Sequence, residues 1–238
     1  MISATSPSVP RCLLPSCPVG ANPIIWSNDD FADLNGDLPL EVILREMRDA
    51  GYAGSELGHA YPRQADALRQ ALTQHGLRLV SGWHSSHLAE RDYRAEEASF
   101  RQHVDLLRTL GAKVVIIAEC SKCVHGDRDA ALGFTDADRR RLTAAEWQRV
   151  VTGLNKFAAI AAEQRVTLAY HHHMGTVIQS AAELERLLEA VPGLSLLLDP
   201  GHLAFAGIDP LEVVAKYGPR ITHVHLKSVR ADVVARAR

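Results

Sequence analysis

The stretch LAYHHHMGT, residues 168–176, shows most clearly the pattern from which the fold of this 238-residue chain is predicted. It begins as a short apolar run, changes to three consecutive histidines and then reaches a glycine. A short apolar run of this kind is typical of a strand that is buried on both faces, and the polar residues that follow mark the end of that strand. The same arrangement recurs along the rest of the chain, so this stretch is one copy of a repeated unit.

Seven apolar runs alternate with helical patterns, and the hydrophobic period changes from 2 to 3.6 each time. Strands are predicted near residues 19–26, 53–57, 77–83, 114–118, 166–170, 194–198 and 221–226. Helices are predicted near residues 40–50, 65–75, 96–110, 144–164, 181–190 and 210–217. Gly51, Gly76 and Gly111 follow three of these helices, where a left-handed backbone is favoured. Strands that alternate with helices predict a parallel α/β sheet with right-handed crossovers.

Polar residues follow almost every predicted strand. Their distribution distinguishes the two architectures that a parallel sheet can adopt, the open doubly wound sheet and the closed barrel. An open doubly wound sheet concentrates its polar residues at one switch point, often beside a glycine-rich phosphate loop. Neither GxGxxG nor GxxxxGK[ST] occurs in the sequence. A closed eightfold barrel instead places functional residues after most of its strands. The sequence therefore predicts an α/β barrel of the (β/α)8 type.

The composition favours a globular protein that binds a small molecule. Hydrophobic residues make up 47% of the chain, charged residues 23%, and the formal net charge is -2. Scattered basic residues give no indication of a nucleic acid or an anionic membrane as partner. Residues 1–18 are rich in proline and are predicted to be a disordered leader. Residues 19–238 are then predicted to form one incomplete barrel domain.

Four cysteines occur, as Cys12, Cys17, Cys120 and Cys123. The last two form the segment CSKC, which is half of a zinc-site pattern. We expect reduced thiols in a cytoplasmic protein, and a four-cysteine zinc site or a disulfide remain as alternatives.

Histidine and aspartate gather at three successive strand ends. The patterns are H-x-H, D-x-x-H and H-x-H, formed by His171 with His173, Asp199 with His202, and His223 with His225. Alternate residues of a strand share a side, so His171 and His173 face one way and His172 the other. A lone histidine at a strand end is usually a hydrogen-bonded loop residue, and an aspartate there often caps the next helix. The joint pattern nevertheless predicts a divalent metal site, with manganese, cobalt, iron or zinc favoured over calcium or magnesium.

Other strand ends carry residues with two interpretations. Glu56 and Glu119 are candidates for a substrate or catalytic role, the alternative being a salt bridge to a neighbouring arginine or lysine. Trp26 and Trp83 are candidates for the walls of a pocket, the alternative being ordinary core packing.

Six segments of the chain carry a family resemblance: ANPIIWSNDD, GYAGSELGHAYP, HGLRLVSGW, LAYHHHMGTV, LLLDPGHLAFAGIDP and ITHVHLKSVR. Together they resemble the inosose dehydratases, which belong to the xylose-isomerase-like TIM barrels. The resemblance runs from about Gly20 to the last residue, and the histidine triplet with the flanking MGT is its most specific part. It implies a metal-dependent lyase of inositol catabolism that removes water from 2-keto-myo-inositol, with manganese or cobalt as the usual metal.

The resemblance also implies which residues hold the metal. Strand five supplies His171, where relatives often have glutamate, strand six supplies Asp199 and strand seven supplies His225. Pro200 and Ser228 stand where relatives commonly have threonine and aspartate. We expect the barrel to be truncated after the seventh strand, because the superfamily's strand-eight glutamate has no counterpart in these 238 residues. The resemblance therefore leaves the activity of this chain on its own open.

A divalent metal on a ketone and its neighbouring hydroxyl supports removal of the α proton, after which water leaves from the β carbon. We expect Glu119 as general base, His202 as general acid and Lys227 as a second electrophile. The expected substrate-binding residues are Trp26, Glu56, Trp83 and His173.

Two alternatives stay open. A sugar isomerase or epimerase of the same superfamily would use the same metal ligands and reprotonate the enediolate. A non-catalytic truncated barrel is the other. A small polyol ketone is the partner expected of a dehydratase. Association into an oligomer of identical chains is also expected.

Overall fold

The computed structural model describes residues 17–31, 33–34, 38–133 and 137–237. All but the last two residues of the predicted leader, residues 1–18, lie outside this range. The chain divides into two compact units. The first extends to Gly82 and includes Thr109–Ala112, and the second comprises Trp83–Arg108 and the chain from Lys113 onward. A single barrel domain over residues 19–238 stays a prediction.

The first unit contains three strands that pair in parallel and two helices. These are β1 (Gly20–Ala21), α1 (Leu40–Asp49), β2 (Gly54–Leu57), α2 (Ala65–Gln74) and the first five residues of β3 (Arg78–Ser86). Strand β1 pairs with β2, and β2 pairs with residues 78–82 of β3. Leu44, Met47 and Leu68 are buried and belong to the core of this unit.

Strand β1 is shorter than the predicted run over residues 19–26. Pro23 begins a single 3-10 turn over Pro23–Ile25, because proline fixes its own φ and cannot donate to a strand ladder. Asn22 caps this turn, since its Oδ1 accepts a hydrogen bond from the Ile24 backbone N–H at 2.9 Å.

The second unit continues the parallel pairing from residues 83–86 of β3. Its further strands are β4 (Val114–Glu119), β5 (Thr167–Tyr170), β6 (Ser195–Leu198) and β7 (Ile221–Val224), each paired in parallel with the one before. Its helices are α3 (Tyr93–Thr109), α4 (Ala144–Glu163), α5 (Ala181–Ala190), α6 (Pro200–Phe205), α7 (Pro210–Tyr217) and α8 (Ala231–Ala237). The seven described strands match the seven predicted, and their parallel pairing confirms the α/β class.

Local sequence explains where the long helices of this unit begin. Thr143 and Glu146 form a reciprocal capping box at the start of α4. Ser180 and Glu183 do the same at the start of α5. The short helix α6 was not predicted, because its six residues are too few to show a helical period.

The strand alternation of the second unit fixes which side chains face together. Ile116, Ala169 and Leu197 are fully buried and pack against one another. His171 and Asp199 each lie two residues beyond a member of this cluster, so they continue the same face toward the strand ends.

None of the described helices has the length and hydropathy that spanning a bilayer requires.

Candidate metal centre

His171 is the first residue after strand β5, and its ring is buried. The backbone N–H of His171 donates to the Ile117 carbonyl at 2.8 Å, which extends the strand ladder by one residue. Its ring Nδ1 lies 2.6 Å from the His172 carbonyl oxygen. A carbonyl oxygen can only accept, so Nδ1 carries the ring proton and Nε2 keeps its lone pair. Burial lowers the pKa of His171, which favours this neutral form.

Asp199 follows strand β6 and caps helix α6. Its Oδ1 accepts a hydrogen bond from the His202 backbone N–H at 3.0 Å, and Pro200 occupies the first helical position. Its other oxygen, Oδ2, is completely buried and has no hydrogen-bond partner in the described structure. Desolvation raises the pKa of Asp199, but the neighbouring His171 ring and Lys227 ammonium outweigh it and hold the pKa below its usual range. The carboxylate is therefore charged and incompletely satisfied.

Four nitrogen atoms surround Asp199 Oδ2. His171 Nε2 lies at 3.4 Å, Lys227 Nζ at 3.5 Å, and both His202 Nε2 and His225 Nδ1 at 3.9 Å. A nitrogen lone pair that faces a carboxylate oxygen across 3.4 Å has no proton to share with it. A cation between the two atoms would satisfy both. The buried donors His171, Asp199 and His202 form a group that could hold a metal ion.

His202 and Lys227 contact each other at the edge of this group. Lys227 Nζ lies 2.9 Å from His202 Nε2, and the Met174 backbone N–H lies 3.3 Å from Nδ1 of the same ring. Both ring nitrogens thus face N–H donors, and a neutral imidazole can accept from only one of them. The contact from the Lys227 ammonium to Nε2 is the shorter of the two and has a charged donor, so Nε2 is the nitrogen that accepts. Burial, His173 and His171 together lower the pKa of His202, so this ring is neutral.

His225 approaches from strand β7. Its backbone N–H donates to the Leu198 carbonyl at 2.9 Å, so the ladder between β6 and β7 continues one residue past Val224. Its ring lies 5.3 Å from the His171 ring, measured between centroids. His223, the other histidine of this strand, lies 5.5 Å from His225 in the same measure.

The middle and last members of the histidine triplet differ in their surroundings. His173 lies on the side of His171, with its ring centroid 3.9 Å from that of His202 and 5.9 Å from Trp83. Its Nδ1 lies 2.8 Å from the Met174 carbonyl, so Nε2 holds the lone pair. His172 is buried, and neither of its ring nitrogens has a hydrogen-bond partner in the described structure.

Trp83 is the first β3 residue of the second unit and lies beside the histidines. Its ring meets those of His171 and His173 edge-on, at centroid distances of 5.5 and 5.9 Å. The indole N–H donates to Ser85 Oγ at 2.8 Å. The indole is half-buried, so part of it remains open to a ligand.

Glu119, the expected general base, has its carboxylate occupied elsewhere. Its oxygens accept hydrogen bonds from the Ser86 hydroxyl at 2.8 Å and from three backbone N–H groups, those of Leu88, Ala89 and Ser121 at 3.1, 3.4 and 3.2 Å. None of these donors belongs to the histidine cluster. Glu119 lies three residues after Ile116 on β4, so the alternation points it to the opposite face. This placement does not support a role as general base.

Trp26 and Glu56 lie in the first unit, where each has a polar partner. The Trp26 indole N–H donates to Glu46 Oε2 at 2.6 Å. The buried Glu56 carboxylate accepts from Asn22 Nδ2 at 2.7 Å and from Ser81 Oγ at 2.5 Å. Their roles in substrate binding stay predictions.

One histidine near the site was not predicted. His125 lies with its ring centroid 4.9 Å from that of His173. It falls in an irregular segment after β4, with no strand-end pattern to mark it. His202 was predicted as a general acid. The D-x-x-H spacing brings it back toward Asp199 over one helical turn, so the same spacing also indicates that its ring lies near the candidate metal ligands.

Comparison with known proteins identifies the family. The sequence model of the xylose isomerase-like TIM barrel family matches residues 44–237. The chain belongs to this family. The seven parallel strands are therefore those of a xylose isomerase-like barrel, and the predicted fold class is confirmed.

Relatives of this xylose isomerase-like chain include inosose dehydratases. The enzyme of Geobacillus thermodenitrificans is 39% identical over 92% of this chain and 74% of its own length. That of Clostridium perfringens is 38% identical over 91% of this chain and 72% of its own length. The rhizopine catabolism protein MocC of Rhizobium meliloti is 44% identical over all of this chain and 72% of its own length. These similarities confirm the predicted resemblance and place the chain among the lyases of the family.

Solved structures share the xylose isomerase-like fold at low sequence identity. The probable 3-DHS dehydratase AsbF of Bacillus anthracis has a TM-score of 0.67 and 17% identity, over 91% of this chain and 75% of that one. A D-allulose 3-epimerase of Methylomonas sp. has a TM-score of 0.65 and 20% identity, over 87% and 71%. These likenesses concern the fold alone.

Proposed function

We propose that this chain is a dehydratase, dependent on a divalent metal, that removes water from a polyol ketone of the 2-keto-myo-inositol type. The observation that carries the proposal is Asp199 Oδ2, a buried carboxylate oxygen without a hydrogen-bond partner in the described structure that faces the lone pair of His171. The similarity to enzymes named inosose dehydratase supports the substrate class.

The donor set suits a transition metal of the first row. His171 Nε2, Asp199 Oδ2 and His225 would be its protein ligands, as the family resemblance implies. His202 Nε2 is already engaged by Lys227 at 2.9 Å, which makes it a poorer ligand than His225. Imidazole and carboxylate together favour manganese or cobalt over calcium. When bound, the ion would act as a Lewis acid that polarises the substrate carbonyl.

His173 is the residue best placed to accept the α proton. Its Nδ1 proton is held by the Met174 carbonyl, so the lone pair on Nε2 is available. Burial and the neighbouring His171 lower the pKa of His173, which keeps the ring in the neutral form that a general base requires, although it also weakens the affinity of the ring for the proton. This role replaces the one expected of Glu119, whose carboxylate is already saturated with donors.

His202 and Lys227 together can deliver a proton to the departing hydroxyl. The proton between Nζ and Nε2, which are 2.9 Å apart, is within reach of either nitrogen. The Lys227 side chain is half-exposed, so its ammonium can also move to stabilise a developing oxyanion. The 2.9 Å contact between them supports the acid role that we propose for His202 and the electrophile role that we propose for Lys227.

Trp83 supports substrate orientation. Its half-buried indole presents an apolar face next to the rings of His171 and His173. A cyclic polyol has one face of C–H groups that can pack on such a ring.

The test is to incubate the chain with Mn²⁺ and 2-keto-myo-inositol and to follow the ultraviolet absorption of the enolised dione. We expect absorption to rise with the wild type and with His172→Gln, and not with His173→Phe. His172→Gln is the matched control, because it changes the adjacent imidazole on the other side of the strand. Absence of the dione from a wild-type chain that binds Mn²⁺ would contradict the proposal, and interconversion of ketoses instead would indicate an isomerase.

A further inference from the structure

Cys120 and Cys123 form a tight turn directly after strand β4. The Cys123 backbone N–H donates to the Cys120 carbonyl at 3.1 Å, which closes a four-residue β-turn. Lys122, the third residue of the turn, has φ = 58°. A β-turn brings its first and last Cα atoms within about 7 Å, and disulfides span about 4.4–6.8 Å between Cα atoms. The backbone therefore holds the two cysteines at a separation that a disulfide can bridge.

The two thiols also lie in contact and differ in exposure. A hydrogen bond between them, together with burial, raises the pKa of Cys120. Cys120 is buried, whereas Cys123 is half-buried. Cys123 is thus the sulfur that a small reagent reaches first, and Cys120 is the sulfur beside it.

Contacts on both sides of the turn hold it in place. Lys122 Nζ pairs with Glu146 Oε2 at 2.7 Å and donates to the Arg141 carbonyl at 3.3 Å. The Ser121 N–H donates to Glu119 Oε1 at 3.2 Å. The cysteines are therefore preorganised, and joining their sulfurs requires little backbone movement.

We propose that Cys120 and Cys123 are a site of reversible oxidation to an intramolecular disulfide, with a hydroperoxide as the oxidant. The Cys123 sulfur attacks one oxygen of ROOH, the O–O bond breaks, and a sulfenic acid and the alcohol ROH are formed. The Cys120 sulfur then attacks the Cys123 sulfur, and the hydroxyl leaves with the Cys120 proton as water. Two thiols and ROOH thus become one disulfide, ROH and water.

The same pair is poorly suited to hold a metal. A zinc ion needs four ligands in a tetrahedral arrangement, and the two sulfurs supply only half of them. Within the described ranges, no group of three or more histidine, cysteine or carboxylate donors includes either cysteine. A disulfide needs nothing beyond the two sulfurs.

The turn is joined to the candidate metal centre. The Val124 N–H donates to the Gly175 carbonyl at 2.9 Å, and the His125 ring lies 4.9 Å from that of His173. Oxidation should therefore leave the backbone of the turn largely in place and shift the His125 ring against His173, and a small displacement of a reacting side chain is enough to slow turnover. This consequence rests on the proposed function, whereas disulfide formation does not.

Trypsin provides a direct test, because it cuts after Lys122, between the two cysteines. Digestion after Lys113, Lys122 and Arg128 yields the peptides VVIIAECSK and CVHGDR. A chain with Cys12→Ser and Cys17→Ser, treated with hydrogen peroxide and alkylated before digestion, should give these two peptides joined by a bond that dithiothreitol breaks. Cys123→Ser in the same background is the control and should give no joined species.

Separate alkylated peptides, or peptides carrying only sulfinic or sulfonic acid, would overturn the proposal. Dehydratase turnover measured on the same samples tests the proposed link between the disulfide and the candidate metal centre. We expect turnover to fall several-fold on oxidation and to recover with dithiothreitol. A disulfide that forms without any change in turnover would retain the oxidation site and overturn its link to the metal centre.

Discussion

At the scale of single residues, Lys227 brings a positive charge to the position where a metal ion would lie. Its Nζ is 3.5 Å from Asp199 Oδ2 and 2.9 Å from His202 Nε2. A divalent cation bound by Asp199 would therefore be repelled by this ammonium. In the proposed site, the Lys227 ammonium would be a counter-ion of Asp199 without the metal and would compete with the metal for the same carboxylate.

Replacing Lys227 with methionine should make Mn²⁺ bind more tightly, by roughly tenfold, because a screened unit charge is removed at close range. The metal-free protein should become less stable, since a buried carboxylate loses its cation. Mn²⁺ titration calorimetry and thermal melts with and without Mn²⁺ measure the two effects. Lys227→Arg keeps the charge and is the control. Unchanged Mn²⁺ affinity in the methionine variant would show that Lys227 Nζ lies outside the metal site.

Glu119 gives a second prediction at this scale. Its carboxylate accepts four hydrogen bonds from Ser86, Leu88, Ala89 and Ser121, and glutamine would turn an N–H group toward some of those donors. We expect Glu119→Gln to lower the free energy of unfolding by about 2–3 kcal/mol, the cost of buried polar groups left unpaired. Turnover per folded molecule should change little. A loss of turnover by a thousandfold at unchanged stability would instead restore Glu119 as the general base.

At the scale of elements, His84 connects strand β3 to helices α3 and α4. Its ring lies 5.3 Å from Phe100 and 6.3 Å from Phe157, and its Nε2 is buried without a hydrogen-bond partner in the part of the chain that the structure describes. Burial, with His103 and His87 nearby, lowers the pKa of His84 from 6.5 to about 3. The unfolded chain therefore binds a proton between these pH values that the folded chain does not.

Stability should consequently fall as pH decreases from about 6.5 towards 3, by up to about 1.4 kcal/mol per pH unit from this one residue. His84→Phe removes the titrating group and keeps an aromatic ring between the same neighbours. Urea unfolding at several pH values should give a shallower acid-side slope for the variant than for the wild type. Parallel slopes would mean that His84 is protonated to the same extent in both states.

Strand β7 supports a prediction about association. It pairs with β6, and the side chains of Val224 at its end and of Leu226 two residues beyond it are 46% and 85% exposed. Exposed apolar residues on a strand edge are a template for pairing with another chain. We expect the protein to self-associate through this strand, and Leu226→Lys to weaken the association. Sedimentation velocity over a concentration series measures it, with Leu211→Lys on α7 as the control. Equal association of the wild type and both variants would show that the chains do not associate through β7.

At the scale of the whole molecule, sequence patterns predict the repeated unit better than its irregular parts. All seven described strands and their parallel pairing follow from apolar runs that alternate with helical periods. The periodicity could not predict the short helix α6, or the early end of β1 at Pro23, because both depend on local backbone geometry over a few residues.

In the candidate site, the residues at strand ends could be predicted from the sequence, whereas the direction of Glu119 and the position of His125 could not. Strand-end spacing brings His171, Asp199, His202 and His225 together, because neighbouring parallel strands end at one edge. The same spacing could not show that Glu119 faces away, since one residue of register changes the face of a strand. It also gave no signal for His125, which an irregular segment carries to the cluster.

Asp199, His171 and His225 are the ligands that we propose for a divalent metal. The most direct measurement is Mn²⁺ titration calorimetry on the wild type, Asp199→Asn and His172→Gln, each first checked for folding by circular dichroism. Because asparagine keeps the shape of the side chain and removes its charge, Asp199→Asn should weaken Mn²⁺ binding by about a hundredfold or more, whereas His172→Gln should stay within about threefold of the wild type. Equal affinity of the two variants for Mn²⁺, with both proteins folded, would show that Asp199 is not a ligand of the metal.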